Sequence, residues 1–500
     1  QRGITNSICE YLNYFESANY VIGKKNNKKI IFFLQSNFYL STILKDYNNF
    51  IVISFLSNIK NYILHLTQLI TQFTKLIINY FSNIININKL ENKKIDINKH
   101  NVGFKSIYFT NDGIIENNNI IDFFFLKDDQ NKFKFSDTAV IELKKKKFLS
   151  KENFSYMKKN KITHFFHEDL KYFLNKGDIL SILKINLNLF YKYNLSLSFF
   201  ILKFLIEVKK NESRLDEFKD TKVAFVSYEY LFPIGLAAAC FSRNIKLVGL
   251  QRRMHLPMHL HYIYLDYYFL FGKKCLPFLK KNQPAKIKYL PTGRLINLKY
   301  KLKKQNSTKL KCVVFDFSSQ LNWYDDAILN DSNWEINRNF YSIIIRLAKK
   351  FRNINFYIKS KKRQNWMKLN YFKKVNNEII KLDNLSFIRN NKSVNSISII
   401  QKYDFAIGKH SSVLDEFLMI NKPAIIYENP LEVKKFLDYG DSISCYSEKN
   451  LHYKVSKILK NFRIYNNKLL SSRNILYFKF NKKKFFQNLR QIYHDNVLNK

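Results

Sequence analysis

One segment, Tyr403 to Glu428, constrains the fold more than any other part of this 500-residue chain. The apolar run Phe405–Ile407 predicts a buried strand, and Gly408-Lys409-His410 predicts a tight turn after it. A helix is then expected to open on Ser411-Ser412 and to close near Asn421, because serine is a good N-cap. A second strand, Ala424–Tyr427, follows Pro423. The segment therefore predicts a βαβ unit in a parallel sheet.

Such a unit also predicts a place for a ligand. Free backbone N–H groups and the hydroxyls of Ser411 and Ser412 would lie beside a helix amino end, at the carboxyl end of a parallel strand. Open α/β sheets bind phosphorylated ligands at that position. The alternative is a purely structural βαβ unit whose serines only cap the helix.

Composition bounds the class of protein. Five hundred residues exceed one ordinary core, so two domains are expected, and 46% hydrophobic residues argue against disorder. The formal charge of +45 comes from 84 basic and 39 acidic residues. The lysines are spread along the chain, without an RNP motif, zinc-finger spacing or Arg-rich arm, so nucleic acid is not the expected partner. The positive charge is still consistent with binding to anionic lipid or to a nucleotide-linked substrate. A codon bias toward lysine would produce the same charge without any partner.

Compartment and membrane signals are sparse. The five cysteines are scattered without a CxxC pair, and no signal peptide opens the chain. No apolar run reaches the eighteen or so residues that a membrane span needs. We expect a cytoplasmic protein, with peripheral contact at the inner face of an anionic membrane left open.

The C-terminal part, residues 304–500, reads as one α/β domain that binds the nucleotide, and its last helix is expected to pack back on the N-terminal domain. Strand-like runs alternate with amphipathic helical segments, which is typical of a doubly wound parallel sheet. The predicted strands are Leu310–Phe317, Ile354–Ile358, Leu385–Ile388 and a short one within Asp438–Tyr446, and the predicted helices are Glu335–Phe351, Val394–Gln401 and Glu448–Phe462.

A second α/β pattern occupies residues 223–293 and belongs to an N-terminal domain, residues 1–303. Its predicted strands are Val223–Ser227, Ile245–Leu250, Tyr267–Phe271 and Lys288–Leu290, with a helix at Pro233–Arg243. A strand is also expected at Lys29–Leu34, extended structure at 103–148, and helical insertions at about 45–90 and 167–210. The polar stretch Asn297–Lys311 reads as the linker.

Side chains that follow the strands are the candidates for chemistry, because parallel strands end at one edge of a sheet. In the N-terminal domain they are Ser227, Tyr228, Glu229, Gln251, Arg252 and Arg253. In the C-terminal domain they are Ser318, Ser319, Lys359, Lys361, Gly408, His410, Ser411, Ser412 and Glu416.

The pattern resembles the GT-B group of nucleotide-sugar enzymes. It is most similar to surface-polysaccharide biosynthesis proteins and their relatives, the CDP-glycerol glycerophosphotransferases and nonhydrolysing UDP-N-acetylglucosamine 2-epimerases. Four stretches carry the resemblance: DFAIGKHSSVLDEFLMINKPAIIYE, NFYIKSKKR, FVSYEYLFPIGLAAACFSRNIKLVGLQ, and FLFGKKCLPFLKK with the later YLPTGRL. The resemblance implies two doubly wound domains facing each other across a cleft.

The resemblance also implies roles for single residues. A nucleotide donor would be bound by Gln251, Arg252, Ser318, Ser319, Lys359, Gly408, Ser411, Ser412 and Glu416, with Glu229 and His410 as catalytic groups. The diphosphate would be neutralised by helix amides, serines and Lys359 or Arg252, without a metal or other cofactor. After Gln251 the family shows His-Gly, whereas this chain has Arg252-Arg253, which puts a catalytic role of that loop in question.

Each candidate has a structural alternative. Ser411 can serve only as a cap, Lys359 as a solvated charge, Glu229 as a turn residue and Glu416 as a partner of the helix dipole. Two histidine-rich stretches, MHLPMHLHY and HFFHED, lack the ligand set of a metal site. P-loop, GxGxxG, GxSxG and HExxH motifs are missing as well.

The sequence thus predicts a transferase that moves a sugar or alditol-phosphate from a nucleotide donor to a saccharide or lipid-linked acceptor, in cell-surface polysaccharide assembly. A nonhydrolysing sugar-nucleotide epimerase is the alternative enzyme. A non-catalytic GT-B-like binding protein is the alternative of another class, which the missing His-Gly favours.

Overall fold

The structure of the chain is a computed structural model. It describes residues 30–32, 50–52, 103–110, 138–143, 162–170, 176–192, 195–229, 232–251, 263–282, 286–293, 309–316, 334–359, 370–388, 396–409, 411–428 and 439–498, with isolated residues at 67, 70, 71, 74, 155, 158, 172 and 174.

Two parallel sheets dominate the described residues. The strands in chain order are β1 Ile30–Phe32, β2 Phe50–Val52, β3 Ser106–Thr110, β4 Thr138–Glu142, β5 His164–Phe166, β6 Val223–Val226, β7 Lys246–Leu250, β8 Tyr267–Leu270, β9 Lys288–Pro291, β10 Leu310–Phe315, β11 Ile354–Lys359, β12 Leu385–Phe387, β13 Phe405–Gly408, β14 Ala424–Tyr427 and β15 Ser444–Cys445. Strands β1 and β2 form a small separate parallel pair.

The first eight helices of the described residues lie between strands, and the last three follow β15. In chain order they are α1 Lys176–Lys192, α2 Leu195–Leu215, α3 Ile234–Ser242, α4 Cys275–Asn282, α5 Trp334–Lys350, α6 Lys373–Ile380, α7 Ser396–Lys402, α8 Ser412–Met419, α9 Glu448–Lys460, α10 Phe462–Leu476 and α11 Lys482–Tyr493. Short 3₁₀ turns, Asp216–Phe218 and Asn370–Phe372, and a π-helical turn, His494–Leu498, complete them.

The N-terminal sheet has the order β5-β4-β3-β6-β7-β8-β9, and the C-terminal sheet has the order β12-β11-β10-β13-β14-β15. Every pairing in both sheets is parallel. In the N-terminal sheet the chain runs from β3 outward to β5 and then from β6 outward to β9 on the other side of β3. In the C-terminal sheet it runs from β10 outward to β12 and then from β13 outward to β15. This is the doubly wound topology, and the predicted fold class of two parallel α/β sheets is confirmed.

The strands are rich in apolar side chains, which are buried on both faces of the sheet. In the C-terminal sheet, Val314 and Ile407 pack into a core with α5, α6 and α9, while Phe315 and Ala406 face the helices on the other side. Parallel strands covered on both faces are expected to be near-continuously apolar. The predicted elements between residues 223 and 290 and from 310 onward agree with the observed ones within two residues.

Two differences concern the N-terminal part. Phe50–Val52 is a strand that pairs with Ile30–Phe32, so the helix predicted over 45–90 is wrong at that position. The β-branched and aromatic run Phe50-Ile51-Val52 favours a strand when a parallel partner is available. The expected helical insertion at 167–210 corresponds to α1 and α2, which extend to Leu215.

The last helix of the chain returns to the N-terminal sheet. Phe485, Phe486, Leu489 and Ile492 of α11 are buried in a core whose other members lie on β3, β4, β6, β7, β8 and β9. The Phe485 ring lies 4.8 Å from that of Phe269, centroid to centroid. One face of the N-terminal sheet is thus covered by the C-terminal end of the chain.

Candidate functional site

The C-terminal sheet has its topological switch point at β10, which lies between β11 and β13. Register places Phe315 at the end of β10 opposite both Lys359 and Gly408. The carboxyl ends of these three strands therefore lie side by side, where doubly wound sheets bind their ligands. The predicted site residues Lys359 and Gly408 both lie at this edge, on opposite sides of Phe315.

Helix α8 begins directly after β13 and has the predicted cap. Ser411 is the N-cap residue in an extended conformation, and its Oγ accepts a hydrogen bond from the Val413 N–H at 3.4 Å. Ser411 and Ser412 are both half-buried. The helix amino end carries a partial positive charge. The predicted serine-capped helix start is confirmed, and it can hold an anion.

Gly408 has a packing reason for its small size. A Cβ at this position would lie 2.9 Å from the carbonyl oxygen and 3.0 Å from the Cβ of Phe315. The backbones of β10 and β13 leave no space for a side chain there. The predicted ligand role of this glycine stays a prediction, because its contacts with β10 already require glycine.

Asp316, which follows β10, was not among the site residues predicted from the sequence. Its Oδ2 accepts a 2.6 Å hydrogen bond from the buried Tyr341 hydroxyl of α5. Burial lowers the pKa of the Lys359 amine, and the Asp316 charge acts in the opposite direction. A carboxylate therefore lies within electrostatic range of the lysine expected to face phosphate. The only sequence signal was a single acid directly after an apolar strand.

Two further charged side chains of this edge are buried. Lys409, after β13, is 2% exposed, and Glu416, in α8, is 6% exposed. Glu416 lies more than one helical turn behind Ser411, in the part of α8 that packs against the sheet. Its predicted contact with a ribose stays a prediction.

The N-terminal sheet has its own switch point at β3, between β4 and β6. Register sets Glu142 opposite Thr110, and the Ser227 N–H donates to the Phe109 carbonyl. Glu142, Thr110 and Ser227 are all buried, and Glu142 is fully buried. Sequence reasoning missed Glu142 and Thr110, since their strands lay in a stretch assigned only as extended.

Glu229, the predicted base, lies two residues after Ser227. It is 8% exposed, and its Oε1 accepts a 2.8 Å hydrogen bond from the Tyr268 hydroxyl of β8. The phenol fixes the orientation of the carboxylate at the carboxyl edge of the sheet. A carboxylate held in this way has the chemistry of a general base, and the role stays a prediction.

Gln251, predicted to contact the substrate, is engaged within its own lobe. Its Oε1 accepts hydrogen bonds from the N–H groups of Phe271 and Gly272, both at 3.0 Å, and its Nε2 donates to the Cys275 thiol at 3.1 Å. The side chain is 4% exposed. Gln251 therefore stabilises the turn that follows β8.

Several predicted site residues lie outside the part of the chain that the structure describes. These are His410, Arg252, Arg253, Ser318, Ser319 and Lys361. Within the described part, no three His, Cys, Asp or Glu side chains converge as metal ligands. Among the same residues, no helix has both the length and the apolar character to cross a bilayer.

Comparisons with known proteins give similarity in overall shape. No family model matches the chain, and no curated protein matches it. A UDP-N-acetylglucosamine 2-epimerase from Neisseria meningitidis, bound to UDP-GlcNAc, has a TM-score of 0.43 at 12% identity, over 73% of this chain and 92% of that chain. A glycosyltransferase from Rickettsia africae gives 0.42 and 10%, over 73% and 90%. MurG of Acinetobacter baumannii gives 0.38 and 12%, over 71% and 91%.

Similarity at this level does not carry function, because one architecture hosts many activities. The class that the chain's own residues define is a two-lobed α/β protein with a switch point in each sheet. One switch point has a serine-capped helix start, and the other has buried carboxylates.

Proposed function

We propose that the chain is a transferase that moves a sugar or alditol-phosphate from a nucleotide donor to an acceptor in cell-surface polysaccharide assembly. One observation carries the proposal. The half-buried Ser411 and Ser412 open α8 at the switch point of the C-terminal sheet, and Lys359 ends the strand on the other side of β10. That combination of helix amides, hydroxyls and a cation is suited to a diphosphate.

The proposed chemistry divides between the lobes. In the C-terminal lobe, the amino end of α8 and Lys359 would bind the departing diphosphate, which needs charge stabilisation as the bond to the transferred group breaks. Asp316 limits the positive charge that Lys359 contributes, so the helix amides would carry most of the binding. Ser318, Ser319, Arg252 and His410 enter the proposal from the sequence alone.

In the N-terminal lobe, Glu229 would accept the proton of the attacking acceptor hydroxyl. The Tyr268 hydroxyl donates to its Oε1 and so fixes the orientation of this carboxylate. An acceptor that is a saccharide or a lipid-linked saccharide would supply the hydroxyl. For a lipid-linked acceptor the chain would work at the inner face of the membrane, where its excess of lysine favours anionic lipid.

The test measures binding of nucleotide sugars and CDP-glycerol by calorimetry, in two variants that each lose the serine cap of one helix. Ser411→Ala removes the cap of α8, and Ser447→Ala removes the cap of α9, where Ser447 Oγ accepts from the Asn450 N–H at 3.2 Å. Each loss costs about 1 kcal/mol of stability. Donor binding should weaken only in Ser411→Ala.

Two results would refute the proposal: no nucleotide binding by the wild-type chain, or equal donor affinity in the two variants. Measurement of turnover then distinguishes transfer, epimerisation and binding without catalysis. Strict dependence on an acceptor indicates transfer, whereas conversion of the donor sugar without acceptor indicates epimerisation. Donor binding without any turnover indicates a binding protein.

A further inference from the structure

The chain crosses back to the N-terminal lobe through the segment Tyr477–Asn481, here called the crossing segment. Its backbone pairs with the turn after β8: Phe478 N–H donates to the Phe271 carbonyl at 2.7 Å, and Lys273 N–H donates to the Leu476 carbonyl at 2.7 Å. Further on, the Asn481 N–H donates to the Thr292 carbonyl at 3.0 Å. The crossing segment is therefore fixed to the N-terminal lobe by backbone hydrogen bonds.

The side chain of Tyr477 connects this segment to the other lobe. Its ring stacks on Phe271 with centroids 6.3 Å apart, while its hydroxyl donates to Asp415 Oδ1 at 2.6 Å. Asp415 belongs to the first turn of α8, one turn from Ser411. The same Oδ1 accepts from the Tyr439 hydroxyl at 3.1 Å. Asp415, Tyr439 and Tyr477 are all buried.

The contacts of Tyr477 with Phe271 and with Asp415 are here called the joint. Gln251 stabilises the N-terminal side of the joint. Its amide oxygen accepts from both N–H groups of the turn with which Tyr477 pairs, and its amide nitrogen bonds the Cys275 thiol at the start of α4. Burial, and secondarily the charge of Asp415, raises the pKa of that thiol to about 12. A continuous chain of contacts thus runs from Gln251 through Phe271 and Tyr477 to Asp415.

We propose that Asp415 is a positioning residue, which fixes the amino end of α8 against the N-terminal lobe through the Tyr477 hydroxyl. The phosphate-binding turn at Ser411 is then held in one orientation relative to the facing sheet before a donor binds. This use of the joint rests on the proposed function, whereas the joint itself does not.

The physical basis is the strength of a buried hydrogen bond to a carboxylate, which exceeds that of a bond between neutral groups. Without it, the crossing segment loses its anchor on α8, so its backbone pairing with the turn after β8 opens more often. A donor then has to order the two lobes as it binds, and affinity falls by that cost.

The two tyrosines offer a matched test. Tyr477→Phe removes the hydroxyl that joins the lobes, and Tyr439→Phe removes the hydroxyl that reaches the same oxygen from within the C-terminal lobe. Hydrogen exchange should be about tenfold faster at the Lys273 and Phe478 amides in Tyr477→Phe, and close to wild type in Tyr439→Phe. Tenfold corresponds to ~1.4 kcal/mol.

Donor affinity is the second readout. Tyr477→Phe should raise the dissociation constant of the nucleotide sugar or CDP-glycerol that the wild-type chain binds about tenfold. Turnover should recover at saturating concentrations of that compound, because no group that touches it is lost. A merely structural role of Asp415 would give the same loss in both variants, and that result would overturn the proposal. Unchanged exchange in Tyr477→Phe would also overturn it. If the wild-type chain binds no nucleotide, the proposed function fails, while the exchange measurement still decides whether the joint exists.

Discussion

Gly293→Ala should destabilise the protein far more than Gly440→Ala, although the two glycines have the same backbone conformation. Their φ angles are +79° and +78°, and an alanine in this left-handed region costs about 1 kcal/mol. Around Gly440 an added Cβ would meet nothing within 4 Å, whereas at Gly293 it would lie 2.4 Å from the Cα and N of Phe480. Only Gly293 therefore carries a steric cost.

That cost follows from the backbone atoms involved. The crossing segment must move by about 1 Å to reach the 3.4 Å of ordinary contact. Such a shift breaks the hydrogen bond from Asn481 N–H to the Thr292 carbonyl, at about 1 kcal/mol. It also loosens α11 on the sheet. We expect Gly293→Ala to cost more than about 2 kcal/mol in total, against about 1 kcal/mol for Gly440→Ala.

Urea unfolding of both variants gives the difference directly, since any gain from stiffening the unfolded chain is common to both. Hydrogen exchange should locate the damage in α11, around Phe485 and Leu489, in the Gly293 variant alone. Equal unfolding free energies would show that the crossing segment adapts without cost, and the reasoning would fail.

Two further expectations concern single side chains. Burial, and to a smaller extent the charge of Arg214, lowers the pKa of His167 from 6.5 to about 4, while the hydrogen bond with Asn211 acts in the opposite direction. The unfolded chain therefore binds a proton that the folded chain does not between pH 6.5 and 4, so stability should fall as the pH is lowered through that window, at up to ~1.4 kcal/mol per pH unit. Urea unfolding at pH 7 and 5 should show a smaller fall in His167→Gln; an equal fall would contradict the assignment. Thr292→Val should leave the free energy of unfolding unchanged or raise it, because the buried Thr292 hydroxyl has no hydrogen-bond partner among the described residues; a loss above 1 kcal/mol would indicate one.

Most strands and helices from residue 223 onward were predictable because local patterns determine them. Apolar runs such as Val313-Val314-Phe315 and Ala424–Tyr427 are buried on both faces of a sheet, and the Ser411 cap marks the start of α8. Both signals lie within a few neighbouring residues, so a sequence shows them without a partner.

Contacts between side chains that are distant in the sequence were not predictable in the same way. Tyr477 and Asp415 are 62 residues apart, and Lys273 Nζ donates to the carbonyl of Asn474, 201 residues away. Nothing local to either partner marks such a pair. Gln251 shows the consequence: a polar residue at a strand end indicated a ligand contact, and its amide is used by the turn at Phe271.

The packing of α11 bears on where the N-terminal lobe ends. Four side chains of this helix lie in the core of the N-terminal sheet, and full burial of an aliphatic or aromatic side chain stabilises by about 1.5–3 kcal/mol. Their sum, roughly 6–12 kcal/mol as an upper bound, is as large as the net stability of a whole domain. A lobe cut at residue 303 would therefore expose the face formed by Tyr108, Phe225 and Phe269 and lose the helix that covers it. Because the chain reaches that helix only through the crossing segment, the stability of the N-terminal lobe and the position of α8 depend on the same five residues.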